Sequence, residues 1–142
     1  MSLNRSFATV AVSLLILFAA KPSQAQPKGM RFDIPFGFNV GDKALPAGAY
    51  VVEIDKTAGY IELHNKTEFA RLRIGAAPAL RDGKEDALRG RLSFYSYGTA
   101  YVLKKIWMAG EIRGALLEST MAEREMARTA PPKTVAEISL RR

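Results

Sequence analysis

Apolar and polar positions alternate along most of the chain after residue 29. In the segment 30–40, every second side chain is apolar, and these side chains share one face: Phe32, Ile34, Phe36, Phe38 and Val40. A period of two over this length predicts a half-buried strand. Pro35 has no N–H to donate to a neighbouring strand, so we expect this strand to lie at a sheet edge or to be interrupted.

Turn residues separate further segments with the same alternation. Strands are predicted at 49–55, 60–64, 67–74, 88–97, 100–108, 112–117 and 134–140. The strands at 60–64 and 67–74 are expected to pair as a hairpin, and 75–87 to form the longest loop. Within 88–97, the inward side chains are Leu88, Leu92 and Phe94. Lys104 and Lys105 interrupt the alternation of their strand, which predicts a bulge there.

About eight short strands at a spacing of 8–12 residues predict a mainly β fold, either an antiparallel β-sandwich or a small β-barrel. One short helix is expected near the C-terminus. Thr120 and Glu123 match a capping box, in which the threonine hydroxyl and the glutamate carboxylate bind free backbone N–H groups. The helix is predicted over Met121–Arg128, ending before Pro131.

The first 25 residues have the composition of a secretory signal peptide. Arg5 precedes an uncharged apolar stretch from Phe7 to Ala20, and Ser23-Gln24-Ala25 places small residues at the cleavage positions. A retained membrane anchor is the alternative, but the apolar stretch is shorter than the roughly 20 residues of a spanning helix. We therefore expect residues 1–25 to be removed, and residues 26–142 to form a single domain that is secreted or periplasmic.

One segment of the chain resembles a known family. The run from Ile34 to Lys43 (IPFGFNVGDK), followed by LPAGAYVV from Leu45 to Val52, is similar to a family of uncharacterised exported bacterial proteins with the pattern IPF-x-F-x-V-G-x-K-x-LPAG-x-Y-x-V. The region from Tyr97-Gly98 to Trp107 and the charged segment Met121–Arg128 are also similar to that family. The resemblance implies a small secreted β-protein, and it implies no activity, catalytic residue or cofactor.

Composition excludes several kinds of chemistry. The chain of 142 residues has a net charge of +7 and no Cys, so it has no disulfide, zinc–thiolate site or thiol nucleophile. Removing the signal peptide, with Arg5 and Lys21, leaves +5. His64 is the only imidazole, and one histidine beside Glu62 does not supply enough ligands for a metal site. We expect His64 to be a surface hairpin residue, and we expect no enzyme activity, metal or cofactor.

Basic and aromatic side chains suggest one candidate binding surface. If the strands that carry them are neighbours, an outward basic face forms from Arg71, Arg73, Arg89, Arg91, Tyr95 and Tyr97. Such a face suits an anionic polymer or an envelope surface, whereas nucleic acid is not the expected partner. The alternative is an ordinary solvated face, neutralised by Glu62 and Glu68.

The expected function is that of a non-enzymatic exported domain that binds an envelope or extracellular component. The alternative is a barrel that carries a small apolar ligand. The large inward side chains favour the first interpretation, because a core of this size would be filled by Phe32, Phe36, Phe38, Phe94 and Trp107.

Overall fold

The computed structural model describes residues 29–65, 71–81 and 87–139. In chain order these residues form β1 (Met30–Ile34), β2 (Phe38–Val40), β3 (Lys43–Leu45), β4 (Gly48–Asp55), β5 (Tyr60–Asn65), β6 (Arg71–Leu80), β7 (Arg91–Tyr97), β8 (Ala100–Trp107), β9 (Arg113–Leu117), α1 (Met121–Thr129) and β10 (Lys133–Ser139). The predicted mainly β fold with one short helix is confirmed. The predicted signal peptide (1–25), the hairpin residues 66–70, the loop tip 82–86 and Leu140 lie outside the described residues.

The strands form a mixed sheet that folds into two layers. One layer has the order β1-β4-β5-β6, and the other contains β6-β9-β8, to which β7-β10 and β2-β3 are joined. Strand β6 belongs to both layers, since Arg71–Gly75 pairs with β5 and Ala76–Leu80 pairs with β9. Strands β1 and β10 touch, but no pairing between them is described, so the arrangement is sandwich-like and not a closed barrel.

The core lies between the two layers and is filled with aromatic and branched side chains. Phe38 and Phe94 make an edge-to-face contact at 5.5 Å, and Phe38 makes another with Tyr50 at 5.3 Å. Phe32 and Phe94 are almost completely buried, whereas Phe36 is partly buried and stacks on Tyr101. Aromatic pairs in these geometries add to the stability that burial of apolar surface provides.

Strand β1 ends before Pro35 and lies at an edge of the sheet, where β4 is the one described strand that pairs with it, as the missing N–H of proline predicts. The break divides the predicted strand 30–40 into β1 and β2. Together with the additional strand β3, it raises the number of strands from the predicted eight to the ten described. Strand β2 is parallel to β8, through Asn39 and Val102, so the sheet is not wholly antiparallel.

Two sequence predictions between β6 and β7 are wrong. Residues 75–80 continue β6 and do not begin a loop. Pro78 is tolerated there because β6 pairs with β9 along one edge, and no described strand pairs with the other edge of β6 at this position. Leu88 was expected to face inward, but it is 81% exposed, since β7 begins only at Arg91.

The predicted bulge in β8 is confirmed. Ser93 of β7 pairs with Lys105, and Phe94 pairs with Leu103, so Lys104 is the additional residue. The second face of β7 and β8 is covered by the segment that leads into α1. Lys104 and Tyr97 are therefore buried on the side of the sheet away from the main core.

Candidate functional site

The outer face of β5 and β6 brings opposite charges together. Ile61 and Leu63 of β5 point into the core and are almost completely buried, so Glu62 and His64 point outward. The register pairs Glu62 with Arg73 and His64 with Arg71. We call Glu62, His64, Arg71 and Arg73 the Glu62 cluster.

Glu62 holds the other three members through both of its carboxylate oxygens. Its Oε2 accepts a hydrogen bond from Arg73 Nε at 2.8 Å. Its Oε1 lies 2.7 Å from Arg71 Nε and 2.9 Å from His64 Nε2. The Glu62 side chain is only 8% exposed, whereas those of Arg71 and Arg73 are 61% and 59% exposed. One covered carboxylate therefore fixes two guanidinium groups at the surface.

Glu62 stays ionised because of these contacts. The hydrogen bond from Arg73, with the charges of Arg71, Arg73 and His64, holds the pKa of Glu62 below its usual range against the opposing effect of burial. The same hydrogen bond raises the pKa of Arg73. The Arg73 guanidinium also lies 5.0 Å from the centre of the Tyr60 ring, which orients it further.

The guanidinium groups keep hydrogen-bonding capacity at the surface. A guanidinium carries five N–H donors in a planar fork, and in each of these two arginines Nε faces Glu62. Among the described residues, Arg71 and Arg73 have no other ion-pair or hydrogen-bond acceptor for their side chains. The terminal amino groups can therefore meet a planar or tetrahedral anion, such as a carboxylate or a sulfate.

A surface cavity of about 460 Å³ borders the Glu62 cluster. It lies beside the turn between β4 and β5, where Gly59 adopts a positive φ of 69°. Asp55 Oδ1 accepts the backbone N–H groups of Thr57 and Ala58, which lowers the pKa of Asp55. Lys56 pairs with Glu111 across the cavity. These acids are already bound within the protein, and the described residues contain no group of three or more His, Asp or Glu that could hold a metal ion.

The six residues of the predicted basic face are not brought together. Arg71 and Arg73 lie on β6, whereas Arg91 and Tyr95 lie on β7, with β9 and β8 between the two strands. Arg89 precedes β7, so it belongs to the same distant region. Order along the chain does not fix order in a sheet, which is why the strand pattern alone could not place these pairs.

Tyr97 differs most from its expected position. The prediction places it on an exposed outward face, but the residue is only 8% exposed. Its hydroxyl donates to Glu123 Oε1 at 2.8 Å, and Lys104 Nζ donates to Glu123 Oε2 at 2.9 Å and to Ser119 Oγ at 3.0 Å. We call Tyr97, Lys104, Ser119 and Glu123 the Glu123 cluster. Burial, together with the neighbouring carboxylate, raises the pKa of Tyr97 to about 12.

The predicted capping box is half correct. Thr120 Oγ1 accepts the backbone N–H of Glu123 at 3.2 Å, as expected. The Glu123 carboxylate does not return to the helix start but points under the helix to Lys104. A sequence signal for this pair existed in the lysine that interrupts the alternation of β8.

Tyr60 and Glu62 have larger roles in the structure than the pattern of side chains indicates. The pattern indicates Glu62 as a residue that neutralises the basic face and as a neighbour of His64, and it indicates no role for Tyr60. The alternation of Tyr60, Glu62 and His64 along β5 did place them on one face, but only the β5–β6 register shows which arginine each one meets.

Comparisons of the chain with protein-family models, curated proteins and solved structures find no match. The resemblance to exported bacterial proteins therefore stays a prediction. Within the described residues, no helix has the length and apolar character needed to cross a membrane.

Proposed function

We propose that this chain is an exported, non-enzymatic domain that binds an acidic polysaccharide through the Glu62 cluster. The observation that carries the proposal is the pair of exposed guanidinium groups, Arg71 and Arg73, held by one covered carboxylate. Export is supported by the pattern of residues 1–25, and not by any contact in the described residues.

Fixing the arginines in advance favours binding. A free arginine side chain loses about 2 kcal/mol of conformational entropy when it is immobilised. Here Glu62 already restrains each Nε, and Tyr60 restrains Arg73 further. A ligand that meets the remaining N–H groups therefore orders less of the protein than it would at an unrestrained arginine.

A polymer with separated anionic groups fits this face better than an anionic membrane does. Membrane surfaces are recognised by clusters of about four to eight basic residues. Here the two arginines have acids beside them. Glu62 contacts both arginines, and Glu53 of β4 is opposite Glu62 in the sheet. Of the large exposed apolar side chains, Leu88, Ile112 and Met121 belong to other segments, and Leu80 lies at the far end of β6, seven residues after Arg73. None of them therefore lies among these arginines to enter a lipid layer.

Support for a binding role over catalysis comes from His64. Among the described residues its only recorded side-chain partner is Glu62, and no hydroxyl contacts the imidazole. Acyl transfer requires a nucleophile beside its base. The alternative function, carriage of a small apolar ligand, gains no support from a core interior filled by Phe32, Phe38, Tyr50 and Phe94.

The experiment measures binding to dextran sulfate at low salt. We expect Arg71→Ser/Arg73→Ser to weaken binding by about two- to thirtyfold, because two exposed charge contacts are lost. The matched control is Arg124→Ser/Arg128→Ser, which removes the same charge from the exposed face of α1 and should leave affinity nearly unchanged.

A third variant, Arg89→Ser/Arg91→Ser, removes the two arginines of the predicted basic face that lie away from the Glu62 cluster, and it should also keep its affinity. Binding should weaken as salt rises, because exposed charges are screened over about 10 Å at 0.1 M. Equal loss in all three variants would show attraction by net charge alone. Binding to vesicles with anionic lipids, but not to dextran sulfate, would contradict the choice of a polysaccharide.

A further inference from the structure

Three basic positions form one row across the first layer of the sheet. Arg31 of β1 is opposite Val51 of β4, Val51 is opposite His64, and His64 is opposite Arg71. Adjacent strands lie about 4.8 Å apart, so the row from Arg31 to Arg71 spans about 14 Å. Both of these arginine side chains are more than half exposed.

His64 occupies the gap between the two arginines. Val51, directly opposite it on β4, carries no charge. A neutral imidazole therefore leaves Arg31 and Arg71 as separate cations, each beside its own carboxylate, Asp33 and Glu62. A protonated imidazole adds a third cation between them. Imidazole is the side chain whose charge ordinarily changes between pH 5 and pH 8.

We infer that protonation of His64 strengthens binding of a polyanion at this face, so that the protein binds its ligand more tightly in acid than at neutral pH. The inference rests on the proposed function, because it concerns the same site. It adds a regulated property, which is dependence on pH through one residue.

The charges around His64 decide the sign of the effect. On its own strand it contacts Glu62, whose Oε1 is 2.9 Å from Nε2. From β6 it faces Arg71, with Arg73 one position further. Glu62 neutralises one of these arginines, so the Glu62 cluster carries +1 when His64 is neutral and +2 when it is protonated.

The more distant charged groups do not cancel this gain. Glu53 on β4 is opposite Glu62 and not opposite His64. Arg31 of β1 lies beyond Val51, with Asp33 at 3.5 Å from its guanidinium. A protonated imidazole donates from both ring nitrogens, so it keeps its contact with Glu62 while it adds a positive charge to the row.

The test measures dextran sulfate binding by the full protein from pH 7.5 to pH 5.5 at constant ionic strength. Sulfate groups stay ionised over this range, so a change in affinity reports the protein. We expect affinity to rise by up to about fivefold, which is the upper end of the contribution of one exposed charge pair. His64→Gln should bind equally at both pH values, and His64→Lys should bind at pH 7.5 as tightly as the unmodified protein does at pH 5.5.

The outcomes separate the inference from the function on which it rests. Because the chain contains one histidine, the imidazole resonances report its titration by NMR without assignment. Binding that loses its pH dependence in His64→Gln supports the inference. Binding that is independent of pH in the unmodified protein, or a pH dependence that His64→Gln retains, overturns the inference and leaves the proposed function standing. Absence of binding at every pH overturns both.

Discussion

Two glutamates, Glu62 and Glu123, each hold basic side chains against the sheet, but in opposite surroundings. The arginines of the Glu62 cluster are about 60% exposed. In the Glu123 cluster, the side chains of Lys104 and Glu123 are only 5% and 3% exposed. The same pairing of charges therefore leaves two cations exposed to solvent in one place and forms a buried contact in the other.

The covering segment makes this difference. Ser119, Thr120 and α1 lie over Tyr97 and Lys104, and Glu123 is the buried residue of α1. A helix usually packs through an apolar stripe, whereas this one is attached through a carboxylate. No described element lies over Arg71 and Arg73 in the same way.

The largest effect is expected from Glu123→Ala. It leaves the Lys104 ammonium buried without its carboxylate, which should lower the free energy of unfolding by about 3–5 kcal/mol. Urea denaturation measures the loss. Glu125→Ala, on the exposed face of the same helix, is the control and should have no measurable effect.

The double variant Lys104→Met/Glu123→Leu tests whether the loss of stability comes from the unpaired charge of Lys104. Replacing a buried ion pair with apolar side chains of similar volume is often nearly neutral. We expect this variant to be more stable than Glu123→Ala. A Glu123→Ala protein with unchanged stability would show that α1 is held in another way.

An alkaline loss of stability should come from Tyr97. Its pKa is raised to about 12, from a usual value of 10.0. The folded state therefore holds the phenol proton more tightly than the unfolded chain does. This contribution is fully present below pH 10 and is lost as pH rises towards 12. Tyr97→Phe should show a smaller loss across that range than Tyr95→Phe does, as denaturation at a series of pH values would measure.

Glu62→Gln should lower the free energy of unfolding much less than Glu123→Ala does, because Arg71 and Arg73, the partners of Glu62, remain hydrated. The pKa of Glu62 is lowered from 4.5, so its ionised form favours the folded state. The difference between Glu62→Gln and the unmodified protein should be present at neutral pH and disappear as pH falls below about 4.5. An equal or larger loss than that of Glu123→Ala would remove the distinction between the two clusters.

The alternation of side chains predicted the strands well. It identified Phe32, Phe38 and Phe94 as core residues, because burial on one face imposes a period of two. The side-chain pattern failed at residues 75–80. Pro78 and its neighbouring alanines resemble a loop, but an edge strand tolerates proline.

The two clusters were less predictable than the fold. Tyr97 alternates outward as expected, and only the return of the chain over β7 and β8 buries it. Glu123 satisfies a local capping pattern, yet its carboxylate is used in a contact with a residue 19 positions earlier. The pairing of Arg71 and Arg73 on one face was predictable from their spacing, whereas their separation from Arg89 and Arg91 depends on strand order.

The central claim is that anions bind at the Glu62 cluster and not at the other basic positions. Titration with a short sulfated oligosaccharide, followed by NMR of the backbone amides and arginine Nε–H groups, tests it most directly. The account predicts that the shifts concentrate at residues 60–64 and 71–75, with no comparable change in β7 or α1. Shifts centred on Arg89 and Arg91 or on α1, or no shifts at low salt, would contradict it.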